Sequence, residues 1–250
     1  MSARGLVVRT GAVAILSGRA FGAMASPPYE LGLWVRQMDQ VGVRSLGVAG
    51  ITTVFTGMVL ALQTAYSLPA LGVKYYIGSV VAKSLVRELG PVLTALIVGG
   101  RIGAGMTAEI GTMKVTEQID ALRSMGADPV KKLVAPRLAA TLLMIPALSI
   151  IGDALGILGG LLVAVTQLQL APGLYTNSVF KNLTMGDFFS GVGKSFFFAA
   201  AIAVVGCFNG LQTSGGADGV GRATTDTVVT TSILILISDY FLTKFFFLLP

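Results

Sequence analysis

Four ionisable residues sit inside, or at the lip of, apolar runs that approach the length of a bilayer span. They are Arg87 and Glu88 in SLVRELGPVL, Lys194 in GVGKSFFF and Asp239 in LISDYFL. Charge within a membrane is costly, and such groups usually face a bundle interior or a watery cavity. Two arrangements are open. The four could line one polar cavity, with Arg87 and Lys194 able to meet an anionic head group and Asp153 as a weaker fifth member. Alternatively, Lys194 snorkels to the interface and Arg87 and Glu88 lie just outside the membrane.

A second kind of chemistry is suggested by Gly191–Ser195, GVGKS, the end of a phosphate-binding loop. The full signature needs a glycine five positions before the second glycine, and Phe188 stands there. No buried strand precedes the segment, and FFFAAAIAVVG carries it straight into an apolar run. Nucleotide binding is therefore not expected. The chain has no histidine and one cysteine, Cys207, which excludes an internal disulfide, a Cys/His metal cluster and any histidine base. No catalytic residue, metal or cofactor is assigned, and ATP, if used, is hydrolysed by another chain.

The elements that position these residues are membrane helices. The chain is 54% hydrophobic and 12% charged, whereas soluble domains average about 25% charged. Five spans are predicted, over about 46–66, 84–108, 134–165, 190–212 and 226–248, each near the roughly 20 residues a crossing needs. Residues 5–25 mix apolar groups with arginine, and 29–45 are amphipathic, with Trp34 beside Arg36 and Arg44. Both suit helices lying in the interface. Breaks are expected at Ser26-Pro27-Pro28 and at Pro69. The organisation read from this is an interfacial segment over 1–45 and a transmembrane domain over 46–250. No secretory signal is evident. The net charge of +6 follows from topology, since no basic or aromatic stripe suggests nucleic acid. With a cytoplasmic N-terminus, twelve of the eighteen basic residues fall on the inside.

Between the second and third spans lies a polar island, Arg101 to Arg137, with six of the eighteen basic and four of the twelve acidic residues. Within it, TEQIDALRSMG reads as a short helix, with Thr116 and Glu117 at its start and Gly126 then Pro129 at its end. Ile119, Leu122 and Arg123 share a face at i, i+3, i+4 spacing, suited to a groove of a soluble partner. Gly152, Gly156 and Gly160 form a GxxxG stripe on the third span, and Gly206 and Gly210 repeat it on the fourth. Close packing within one chain and a subunit interface are both open readings.

The stretch SLVRELGPVLTALIVGGRIGAGMTAEIGTMKVTEQIDALRSMGADPVKKLVAPR resembles the signature region of the MlaE/YrbE family, permease subunits of MCE-type ABC transporters. GMVLALQ at 57–63, FNG at 208–210 and GVGRATTDTVV at 219–229 add to it, as does Asp239, so the resemblance covers roughly residues 40 to 245. It implies an all-α integral membrane fold of the ABC-permease type, with an N-terminal elbow helix, about five spans and a homodimer. It also implies a bacterial inner-membrane protein with a cytoplasmic N-terminus, gripped by a cytoplasmic ABC ATPase at a coupling loop of about 109–133. Glu109, Glu117, Gln118, Asp120, Leu122, Arg123 and Asp128 carry that role by resemblance. Leu60, Arg87, Glu88, Lys194 and Asp239 correspond to residues near a lipid cavity. A periplasmic MCE hexamer and a small STAS-domain protein are the further partners implied, with phospholipid as cargo and lipid asymmetry of the envelope as the outcome. The runner-up is an ion-coupled secondary transporter using the intramembrane charges, for which inverted repeats would argue. No convincing repeat is found.

One outcome is expected directly. The purified chain alone should neither bind nor hydrolyse ATP, because Phe188 replaces the required glycine. Saturable micromolar nucleotide binding in equilibrium dialysis would contradict it.

Overall fold

Backbone polar groups have no water to bond in hydrocarbon, and a helix satisfies them within one segment. The computed structural model describes residues 3–27, 31–67 and 73–248, and no strand occurs among them. The helices are α1 (Ala3–Met24), α2 (Leu31–Val41), α3 (Leu46–Ser67), α4 (Ile77–Ser84), α5 (Gly90–Val115), α6 (Gln118–Ser124), α7 (Ala135–Thr166), α8 (Pro172–Asn182), α9 (Met185–Leu211) and α10 (Gly216–Leu248). Five stretches are long and apolar enough to cross a membrane: Leu31–Ser67, Ile77–Val115, Val130–Thr166, Met185–Leu211 and Gly216–Phe246. The chain is a multi-pass membrane protein. α1 ends at Met24, just before the break expected at Ser26-Pro27-Pro28, with Ser26 and Pro27 in a bend; Pro28 and Pro69 lie outside the described residues.

The five spans match the expected number, and their ends differ instructively. The second begins at Ile77, not 84, so Arg87 and Glu88 lie more than two turns inside a helical stretch instead of at its lip. The fifth begins at Gly216, ten residues before the expected start at 226. Polar residues such as Asp218 and Arg222 depress hydropathy there but do not stop a helix. The GVGKS segment lies within α9, which removes any phosphate-loop geometry.

Two spans carry a π turn immediately before a proline: Leu85–Leu89 ahead of Pro91, and Val130–Val134 ahead of Pro136. A proline cannot donate to the carbonyl four residues back and its ring crowds that carbonyl. The helix widens instead, with Gly90 N–H reaching Leu85 and Ala135 N–H reaching Val130, five residues back.

α3 packs along α7, α5 along α9, and α10 along α5 and α9. The glycine stripes line these crossings within the chain. A Cβ on Gly57 would collide with the Gly156 carbonyl, one on Gly156 would crowd the Thr53 carbonyl, and Gly160 faces Tyr175. Gly206 meets Gly103, and Gly210 meets Ile110. Close approach of backbones is what holds helices together where lipid supplies no hydrophobic drive. α1 lies across one end of the bundle. Its Arg9 donates to Asn209 at 3.0 Å and its Arg19 reaches Asp128 at 3.5 Å, and both partners stand at the end bearing α6.

The α3–α7 crossing gives a contrast between two positions on one helix. Gly57→Ala should sharply lower the yield of folded protein in mild detergent, because the added methyl meets backbone. Gly47→Ala, with open space around it, should match the parent or gain up to about 1 kcal/mol from helix propensity. Size-exclusion profiles and thermal melts of the two variants check this.

Candidate functional site

The proline at 91 begins the site. Without a backbone N–H there, the carbonyl of Arg87 loses its usual helical donor. Lys194 Nζ takes that place at 3.1 Å. It can reach because α9 crosses the π turn at Gly191, where any Cβ would collide with the Val86 carbonyl. Lys194 lies one turn beyond Gly191 on the same face of α9.

The ammonium of Lys194 is fully enclosed, at 0% exposure. An ammonium has three protons to donate, and three acceptors meet them: Glu88 Oε2 at 2.5 Å, Thr243 Oγ1 at 2.6 Å and the Arg87 carbonyl. Asp239 Oδ1 stands 3.2 Å away, yet it receives no hydrogen bond. We read that contact as ion pairing by charge, the three protons being already placed. The Thr243 hydroxyl in turn donates a hydrogen bond to Glu88 at 3.3 Å. The knot thus joins the second, fourth and fifth spans.

This geometry changes the sequence reading in three ways. Lys194 does not snorkel. Arg87 points elsewhere, to Asp187 Oδ1 at 3.2 Å, so the four charges form two neighbouring groups and not one ring. And Lys194, faced by two carboxylates, is not an open receptor for phosphate: an anion must displace a carboxylate or the hydroxyl to reach it. Leu60 lies apart, half-buried in the apolar cluster of α3, α4, α7 and α8 around Ile77, Val81 and Leu85. Asp153 is buried against Gly90, on the α7 side of the same turn, and its Oδ1 has no hydrogen-bond partner. Two functional candidates went unread in the sequence. Thr243 follows Asp239 at i+4 on one face. Asp187 closes a capping box with Thr184, whose T-x-x-D signature was legible.

At the opposite end, α6 is set down on the bundle as a small rigid element. Glu117, at its start, adopts a left-handed conformation, φ 60°. Neither Thr116 nor Glu117 caps the helix with its side chain; the Thr116 hydroxyl donates back to the Thr112 carbonyl at 2.8 Å. The other end closes as expected from Gly126, φ 77°, with Gly126 N–H on Arg123 and Ala127 N–H on Leu122, both at 3.0 Å. That is the double bond of a Schellman cap. Asp128 then caps the following turn through Val130 N–H at 2.9 Å.

The apolar face of α6 turns inward. Ile119 is buried and Leu122 packs beside it against the bundle core, so the chain itself takes up the apolar part of the i, i+3, i+4 face and leaves Arg123 of that face exposed. Exposure falls on Glu117, Gln118, Asp120, Ala121, Arg123, Ser124 and Met125, with Met125 73% exposed. Asp120 is held by Lys114 at 2.9 Å and by Arg123 at 3.0 Å. The hydrogen bond from Lys114, with these positive charges, keeps its carboxyl below the usual value. Glu109 reaches across to Arg137 of α7 at 2.7 Å. Arg137 is buried and also donates to Leu133 at 2.7 Å. Glu109 therefore braces the base of the loop.

Comparison with known proteins follows the same lines. The family described as Permease MlaE matches residues 34–245. A probable ABC transporter permease protein of Rickettsia typhi is 45% identical over 95% of this chain and 92% of its own. The intermembrane phospholipid transport system permease protein MlaE of Haemophilus influenzae is 39% identical over 91% and 88%. The chloroplastic protein TRIGALACTOSYLDIACYLGLYCEROL 1 of Arabidopsis thaliana is 38% identical over 85% of this chain and 61% of its own.

The two ionic groups should differ in weight. Lys194→Ala leaves Glu88 and Asp239 facing each other without their counter-charge, a loss below the about 3–5 kcal/mol of a fully buried pair broken on one side, since both carboxylates keep some exposure. Asp187→Asn keeps the shape of the cap and weakens the Arg87 pair, whose arginine keeps 28% exposure. Detergent melts should rank Lys194→Ala far below Asp187→Asn; equal melting would contradict the knot.

Proposed function

This chain belongs to the MlaE permease family, and from that premise we propose that it is the membrane subunit of an ABC transporter moving phospholipid between membranes. The observation that carries the reading is α6: a short helix, capped and seated outside five apolar spans, with a water-facing surface that the chain itself does not use. A partner ATPase gripping Glu117, Gln118 and Met125 would move a body whose base is braced by Glu109–Arg137 and Asp128–Arg19. Asp120 and Arg123 shape that surface, and Leu122 anchors it. ATP chemistry then resides wholly in the partner, and this subunit is not itself an enzyme.

The cargo comes from what the Haemophilus relative's name says of that protein, and the polar knot in an apolar bundle suits it. A phospholipid needs an apolar route with few polar groups along it. Glu88 and Asp239 keep partial exposure, at 36% and 22% of their side chains, and border that route, with Lys194 as the counter-charge that holds them. The names of the relatives, ABC transporter permeases, support this over an ion-coupled carrier. The proposal includes a homodimer, an inner-membrane location with the α6 end in the cytoplasm, and an MCE protein at the other end receiving or delivering lipid in maintenance of envelope asymmetry. A STAS-domain companion to the ATPase completes the assembly.

The test uses the exposed face. Glu117→Lys with Met125→Glu should release the ATPase from the co-purified complex and abolish ATP-driven lipid transfer between vesicles, while the permease is extracted at its usual yield. Retention of the ATPase at parental stoichiometry would refute α6 as its seat.

A further inference from the structure

At the α6 end of the bundle two adjoining cavities share Arg9 and Asn209. The first, about 400 Å³, runs between α1, α9 and α10 and is lined mainly by Val13, Ala14, Val205, Phe208 and Leu234. The second, about 230 Å³, opens at the bundle end and is polar, with Arg222, Gln212 and Asp226. An apolar slot thus leads to a mouth with two guanidiniums and one carboxylate. The position of Arg9 is built and not accidental. Arg9 is held by Asn209 Oδ1 at 3.0 Å, and Asn209, itself buried, donates to Thr227 Oγ1 at 2.9 Å. Thr227 meets Thr107 of α5 at 2.8 Å. Through this chain of hydrogen bonds, a side chain from the surface helix α1 is tied into the centre of the bundle.

We propose that these joined cavities bind an anionic phospholipid from the leaflet on which α1 lies. One acyl chain fills the slot along Val205 and Leu234, and the phosphate meets Arg9 and Arg222 at the mouth. The order of the lining fits this occupant: greasy wall deep, cationic lip at the helix ends, where basic side chains attract anionic head groups. A zwitterionic lipid carries its own cation to the same lip and gains less. The site is separate from the polar knot. Asn209 and Lys194 lie fifteen residues apart on α9, about 22 Å along its axis at 1.5 Å per residue, so they address opposite leaflets. The inference concerns binding at rest and does not depend on the cargo or the ATPase proposed above.

The experiment places a photoreactive benzoylphenylalanine at Leu234 in the full chain, purified in nanodiscs doped with clickable phosphatidylglycerol or clickable phosphatidylcholine. A second set carries the probe at Phe197, an exposed position on α9 away from the slot, as a control for folding and insertion. Crosslinking at 234 should favour phosphatidylglycerol, and Arg9→Ala should cut that preference by about tenfold or more, the scale of one charge-assisted contact. Arg9→Lys should retain most of it, and the Phe197 probe should show no preference in any variant. Equal labelling by both lipids at 234, or a preference unmoved by Arg9→Ala while the control is normal, would overturn the site. A probe that crosslinks a second copy of the chain in place of lipid would overturn it as well. Loss of ATPase-driven transfer leaves this readout untouched, so the two proposals fail separately.

Discussion

An ammonium removed from water loses solvation worth several kcal/mol, even after the protein relaxes around it. The bundle depends on how Lys194 is compensated. Its three protons need three acceptors, its charge needs a carboxylate, and they come from two spans that must therefore stay in register with the fourth: the Arg87 carbonyl and Glu88 from the second, Thr243 and Asp239 from the fifth. Hydrophobic attraction cannot set this register, since lipid tails are as apolar as the side chains facing them. A directional polar contact can. This matters most for α10, whose outer face is largely exposed from Val229 to Leu248 and which buries a smaller share of its own residues than the other spans.

That knot requires an irregular helix beside it. Pro91 frees a carbonyl, the π turn at Leu85–Leu89 presents it, and Gly191 lets α9 come close enough for Lys194 to find it. The same device recurs ahead of Pro136, where the widened turn at Val130–Val134 leads into Arg137, which pairs with Glu109. One π turn serves the buried charge at one end of the bundle. The other serves the base of α6 at the opposite end. Helix irregularity in this chain marks the places where backbone polarity is lent to side chains.

Much of this was legible in the residues. The apolar runs gave five spans, and the isolation of Arg87, Glu88, Lys194 and Asp239 within them marked the polar region. Hydropathy blurred the ends, because Asp218 and Arg222 lower it without breaking the helix. Partner choice was not legible: nothing in spacing tells Arg87 to turn to Asp187 while its neighbour Glu88 turns to Lys194, since that depends on the extra residue in the π turn. The face of α6 was legible only in part for a related reason: Ile119 and Leu122 turn into the bundle while Arg123 stays exposed. An i, i+3, i+4 stripe says that a helix has an apolar side, but only the tertiary seat tells whether Ile119 meets a partner or the chain's own core. The motifs TAEIG and GADP, specific as a family signature, carried the loop's identity where periodicity could not.

The claim that Lys194 and its carboxylates act as one buried unit is tested most directly by a double-mutant cycle. Thermal or denaturant unfolding in one detergent would be measured for Lys194→Met, Asp239→Asn and the two combined. If the groups form the knot described, the combined variant should be markedly less destabilised than the sum of the singles, with a coupling of about 1–3 kcal/mol, as for residues in one network. The single Lys194→Met should be the worst of the three, because it leaves the carboxylates without their counter-charge. Strict additivity, or a silent Lys194→Met, would contradict the account.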